Sequence, residues 1–324
     1  TKKDKFVTFM GVPRADTSMR AGAAILGIPF ECIGHRVRIG SDLAPAAIRE
    51  QSCLLRPYQP PHADFDPLER LNVVDCGDIN IAAGDVAVAY DSITTAVDGI
   101  LTDGAVPVTL GGDGSVTLPQ LRAAARSHGP LALVHIDAHT DTGPGKTPDE
   151  LSPSTTFTRA AEEGLLDMNR AFHVGVRGTQ RFKGVIPFSC DLGFEVITGG
   201  DLFRRGMGET GAYLRQRIGD RPAYLCFDMD FFDPSCAPGV CQPECGGATG
   251  REGLELLQSL AGTKFAVFDV NTVSPPQDIG GMTALLAARV LLECLALACQ
   301  TGSATSRISA VNYWNTDVHS CGPR

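Results

Sequence analysis

Eight short runs of consecutive apolar residues, most of them separated by segments with helical spacing, constrain this chain more than any other feature. The runs are residues 23–29, 71–76, 106–110, 131–136, 171–176, 194–198, 223–227 and 265–270. Amphipathic stretches at 85–101, 118–126, 157–166, 212–218 and 250–260 lie between them. A sheet with one wet face alternates polar and apolar residues. Continuous apolar runs instead need cover on both faces, which is the pattern of a parallel sheet between helical layers. The expected fold is therefore α/β, a three-layer αβα sandwich around an eight-stranded, mostly parallel, doubly wound sheet. No linker, low-complexity stretch or internal repeat interrupts the alternation, so residues 1–324 read as a single domain. The final helical segment, 281–299, is apolar nearly all round and is expected to be buried.

Composition agrees with a packed domain: 43% of the 324 residues are hydrophobic, 20% are charged and 36 are glycine. This is not the balance of a disordered, collagenous or coiled-coil chain. Lys and Arg number 28 against 37 Asp and Glu, for a net charge of -9, and no stretch gathers the basic residues. That argues against nucleic acid and anionic membranes as partners. The start, Thr1-Lys2-Lys3-Asp4-Lys5, lacks the apolar core of a secretion signal, and no run reaches the roughly 18 apolar residues of a membrane span. The chain reads as soluble and cytoplasmic. Its 11 cysteines are odd in number and form no CxxC pair. They read as reduced thiols, several of them in the core. Cys236, Cys241 and Cys245 lack the fourth ligand and close pairing of a structural zinc site and read as part of a loop.

In such sheets ligands gather at the carboxyl ends of the strands. Four ends carry polar motifs: Gly111-Gly112-Asp113-Gly114-Ser115, Asp137-Ala138-His139-Thr140-Asp141, Asp228-Met229-Asp230-Phe231-Phe232-Asp233-Pro234, and the stretch from Asp269 to Pro275. In an extended segment the alternate residues Asp137, His139 and Asp141 point to one side. Asp228 and Asp230 repeat the arrangement at a second end. Carboxylates with one imidazole suit hard or borderline divalent ions such as manganese, nickel or zinc, and two such ions can activate a water.

These motifs, with Asp233-Pro234 and Ala237-Pro238-Gly239, resemble the signatures of the ureohydrolases, the arginases and agmatinases. The likeness runs in order through Leu26-Gly27-Ile28-Pro29-Phe30, Ala44 to Glu50, Asp75-Cys76-Gly77-Asp78, Gly175-Val176-Arg177-Gly178, Ser274-Pro275-Pro276 and Leu285 to Arg289. It implies an eight-stranded parallel sheet between helices, and hydrolysis of a guanidine or amidine to urea and an amine at a pair of manganese or nickel ions. It makes Asp137, His139, Asp141, Asp228 and Asp230 metal ligands. Three departures accompany it. The family's ligand His after Gly-Gly-Asp is Gly114. The His of its His-Gly-Thr-x-Phe segment is Pro153. The Glu that pairs with the substrate guanidinium is Thr272. No catalytic residue is expected at these positions. Four ligands of the second ion, Asp137, His139, Asp228 and Asp230, remain. They should hold at most one ion, weakly, because carboxylates arranged around two cations repel one another around one.

The first reading is thus a non-catalytic subunit with a degenerate centre, paired with an active ureohydrolase paralogue in a trimer- or hexamer-based hetero-oligomer. It resembles the degenerate subunit of two-component, nickel-dependent guanidine hydrolases of the metformin hydrolase type. Such a complex hydrolyses a guanidine or biguanide to urea, or a guanylurea-type product, and an amine, with the metal held by the active partner. The second reading is an active hydrolase of C–N bonds in linear amidines with an altered mononuclear centre. A regulatory binder of a guanidino ligand is the third.

Overall fold

Each of the eight apolar runs contains or overlaps a strand in the computed structural model, which describes residues 7–16, 20–32, 38–81, 86–147 and 150–300. The strands are β1 (Ala23–Gly27), β2 (Val74–Asp78), β3 (Val106–Leu110), β4 (Leu131–Ile136), β5 (Leu166–Val176), β6 (Glu195–Thr198), β7 (Ala223–Asp228) and β8 (Phe265–Asn271). They form one sheet in the order β2-β1-β3-β8-β7-β4-β5-β6, and every pairing is parallel. Among the described residues ten α-helices accompany it: α1 (Ala44–Ser52), α2 (Pro67–Arg70), α3 (Val86–Thr102), α4 (Thr117–His128), α5 (Thr156–Glu162), α6 (Val185–Asp191), α7 (Gly199–Arg205), α8 (Met207–Ile218), α9 (Gly250–Ser259) and α10 (Met282–Ala298). The expected α/β sandwich is the observed one.

Strand alternation divides the core. Along β4, Ala132, Val134 and Ile136 pack with α1, α8, α9 and α10, while Leu131 and Leu133 face α4 and α5. Both faces are covered, which is why the strands read as unbroken apolar runs. Helix α10 is buried along most of its length, as its composition requires. No helix among the described residues is long and apolar enough to cross a membrane.

Several boundaries differ from expectation: β2 spans Val74–Asp78 against 71–76, β5 begins at Leu166 against 171, and α8 begins at Met207 against 212. The helix expected over 157–166 is α5, which stops at Glu162. Gly164, with φ +67°, turns the chain, and Leu166 already opens the long strand β5. A left-handed glycine ends a helix without steric cost, whatever apolar residues follow. Helices α1, α2, α6 and α7 were not anticipated, because they are short and proline- or glycine-punctuated; α1 and α2 carry proline in the first turn, where it fits a helix start. The start of the segment expected at 85 lies outside the described residues, as do residues 1–6 and 301–324 of the single domain read from the sequence.

A buried ion pair ties α1 to β2. Arg49 is 2% exposed, and its Nε and Nη2 each donate to Asp75 at 2.9 Å. Asp75 also accepts from the backbone N–H groups of Phe9 and Gly77 at 2.8 Å. Removing one partner of such a pair leaves a buried charge uncompensated. Arg49→Leu is expected to lower stability by about 3–5 kcal/mol, read as a lower urea midpoint at unchanged slope. A loss within about 1 kcal/mol would mean that the pair behaves like an exposed one.

Candidate metal centre

The site forms where β3, β8, β7 and β4 end. Alternation along β4 puts His135 and Asp137 on one face, and Asp137 is anchored when its N–H donates to Val174 O at 3.0 Å. Beyond Ile136 the chain is no longer extended. Asp141 adopts φ 48°, so the three alternate residues do not line up along a strand as the spacing suggests. A local turn brings them together instead: Asp137 Oδ1 accepts from His139 N–H at 2.7 Å, and His139 Nδ1 comes to 3.3 Å from the same oxygen. His139 Nδ1 also lies 3.1 Å from Asp230 Oδ2. Two groups result whose ligand atoms all lie within 4.8 Å of one another, Asp137–His139–Asp230 and His135–Asp137–Asp141.

Asp228 belongs to neither group among the described residues. Its Oδ1 accepts from Asp230 N–H at 2.7 Å and, through a very short bond, from the Thr272 hydroxyl. Thr272 is buried with φ 67°, an outlier for a β-branched residue. Backbone bonds to Gly112 O at 2.7 Å and from Cys241 N–H at 3.1 Å hold it there. Strain of this kind persists only where the surroundings over-determine it.

The glycine motif at the end of β3 divides by role. A Cβ on Gly112 would stand 1.7 Å from Phe30 O, so that position admits only glycine. Asp113 accepts from Ser115 N–H at 3.0 Å and Cys32 N–H at 2.8 Å, and burial pushes its carboxyl up to about 7. At Gly114 the contacts are tight but less severe: a Cβ would meet Asp141 Oδ2 at 3.2 Å, which the carboxylate must yield to, and Pro153 Cβ at 3.7 Å. A longer side chain at 114 would therefore start beside the Asp141 carboxylate. Pro153 is the buried first residue of a single 3-10 turn, Pro153–Thr155.

The electrostatics follow from crowding. Burial and the negative charges of Asp137 and Asp230 push Asp228 well above the usual carboxylate range. Burial and Asp137 do the same to Asp141 and raise Asp230 to about 6. Burial also opposes ionisation of Asp137, but His135 and His139 hold it below the normal range. Burial would lower His139, yet Asp230 and Asp137 push it up to about 12. Three buried carboxylates, the partly buried Asp141 and an imidazole in this arrangement fit a hard or borderline divalent ion, whose charge relieves the repulsion among them. The residues border a cavity of about 330 Å³ lined by Gly114, His139, Asp141, Asp228, Gln242 and Thr272, among others.

Three participants escaped the sequence reading. His135 Nε2 sits 2.8 Å from Asp137 Oδ2, and His135 Nδ1 lies 2.8 Å from Nδ1 of buried His173 on β5. The period of two along β4 already aligns His135 with Asp137; only strand pairing supplies His173. The third, Gln242, lies 2.9 Å from His139 Nε2 and carries no sequence signal. Asp233, part of the strand-end motif that opens at Asp228, serves its own loop, accepting from the N–H groups of Ser235, Gly246 and Gly247. Cys236, Cys241 and Cys245 enter neither group, and no disulfide joins any two described cysteines.

Comparison with known proteins bears on this arrangement. The sequence profile of the arginase family matches residues 21–297. The mitochondrial guanidino acid hydrolase of Mus musculus is 35% identical over 288 residues, covering 89% of this chain and 80% of that protein. The agmatinase of Enterobacter sp. (strain 638) is 39% identical over 277 residues, 84% of this chain and 85% of that one. The structure of proclavaminate amidino hydrolase from Streptomyces clavuligerus superposes with a TM-score of 0.87 at 32% identity, covering 92% of this chain and 98% of the other. Matched across most of its length in sequence and in fold, the chain belongs to the arginase family of ureohydrolases.

Proposed function

We propose that this chain holds at most one divalent ion and is the non-catalytic partner of an active paralogue, in a trimer- or hexamer-based hetero-oligomer. That complex would hydrolyse a guanidine or biguanide compound to urea, or a guanylurea-type product, and an amine, as in enzymes of the metformin hydrolase type. Its manganese or nickel would be held chiefly by the partner. The observation that carries this reading is Gly114: a side chain here would start 3.2 Å from Asp141 Oδ2, at the edge of the centre, yet the residue has no ligand atom. Pro153 and Thr272 compound it, since neither offers an imidazole or a carboxylate to the cavity they line.

A bound ion would supply Lewis acidity and a more acidic water. His139 Nδ1, Asp137 and Asp230 are grouped to hold it, with Asp228 beside them under the grip of Thr272. A guanidinium entering the cavity would meet the Thr272 hydroxyl, already committed to Asp228, where a carboxylate would have oriented it.

A second reading, an active hydrolase of C–N bonds in linear amidines with a mononuclear centre, draws on the relatives. They bear enzyme names: guanidino acid hydrolase, agmatinase, guanidinobutyrase and proclavaminate amidinohydrolase. These names favour the second reading over the first, and the retained carboxylates and imidazole support it. The three replaced positions support the first.

Two measurements separate them. After dialysis against a mild chelator and reloading with Mn²⁺ or Ni²⁺, the purified chain should retain at most one loosely held ion by elemental analysis; two tight ions would overturn the one-ion centre. Alone, it should release urea from agmatine, arginine, guanidinobutyrate or biguanides only at background, and metal-dependent turnover by the homogeneous chain would establish the second reading. The partner role has its own test. In a complex co-expressed with an active paralogue, Asp137→Ala with Asp228→Ala in this chain should leave activity nearly unchanged. Failure of the chains to associate at micromolar concentration, or loss of activity from an assembled complex, would refute it.

A further inference from the structure

Gln242 follows a segment tied to the chain just beyond the end of β8. Val240 bridges Val273 in antiparallel register, Cys241 N–H donates to Thr272 O at 3.1 Å, and Ser274 N–H donates to Gly239 O at 2.7 Å. The half-buried Gln242 side chain reaches across the cavity, its Nε2 2.9 Å from His139 Nε2. The other ring nitrogen, Nδ1, lies between Asp137 and Asp230. To ligate an ion, Nδ1 must present a lone pair, and the ring proton then resides on Nε2. The group beside Nε2 must accept a hydrogen bond in that state. A half-turn of the carboxamide, whose two ends have the same shape, places its oxygen there.

We infer that Gln242 is a positioning residue that accepts a hydrogen bond from Nε2–H of His139 and so aims the Nδ1 lone pair between Asp137 and Asp230. The inference rests on the one-ion centre proposed above and adds to it the residue that orients its imidazole. Glutamate at 242 would keep the acceptor. Leucine would fill a similar volume and offer none.

The test is calorimetric titration of the metal-free full-length chain with MnCl₂ and with NiCl₂, comparing the parent with Gln242→Leu and Gln242→Glu. Melting of each metal-free protein reports on the fold. Gln242→Leu should bind about 10–100-fold more weakly with an unchanged metal-free melting temperature, while Gln242→Glu should bind at least as tightly as the parent. Parent-like affinity in Gln242→Leu would overturn the role of Gln242 and leave the one-ion centre standing. Absence of binding by the parent up to millimolar ion would overturn both. Should the leucine variant fail to fold, Gln242→Met takes its place, and glutamate binding no tighter than methionine would overturn the inference.

Discussion

Backbone hydrogen bonds set Leu110 beside Val270, Val270 beside Phe227, and Phe227 beside Ile136, so β3, β8, β7 and β4 end at one level of the sheet. Their next residues are Gly111, Asn271 at the end of β8, Asp228 and Asp137. Parallel pairing aligns strand ends from segments far apart in the chain, and here it gathers acidic residues in a place sealed on both sides by helices. Register therefore creates the site. A slip of one residue along β4 would carry His135 and Asp137 to the opposite face together.

Carboxylates brought together in this way repel, and the surrounding groups answer that repulsion. His139 lies between Asp137 and Asp230, His135 on β4 stands beside Asp137 just past the strand end, and Thr272 donates to Asp228. These partners do not cancel the crowding, because Asp141, Asp228 and Asp230 still resist ionisation. A divalent cation in this place would relieve that crowding.

Thr272, Pro153 and Gly114 each stand in a distinct backbone setting. Thr272 occupies a left-handed backbone conformation secured by bonds to two separate segments, and Pro153 begins a capped turn. Gly114 sits directly after an aspartate whose bonds to Ser115 and Cys32 hold the loop. Substitutions at these positions would thus alter three differently constrained backbones, and a change at one would not reproduce the other two.

The unbroken apolar runs determine strand number and parallel pairing, because residues covered on both faces cannot alternate with polar ones; the runs at 106–110 and 131–136 coincide with β3 and β4 to the residue. Family membership was legible for a similar reason: the strand-end motifs are short, contiguous and rich in residues that only a site requires. Helix ends were less legible, as Gly164 shows, since one left-handed residue outweighs the apolar spacing that continues past it. Only the tertiary structure decided how Asp141 rejoins Asp137 through a turn, that His173 backs His135, that Asp228 answers to Thr272, and that Gln242 meets His139. Each of these last three contacts joins residues tens of positions apart, and through-space hydrogen bonds of that kind leave no periodicity in the chain from which to read them.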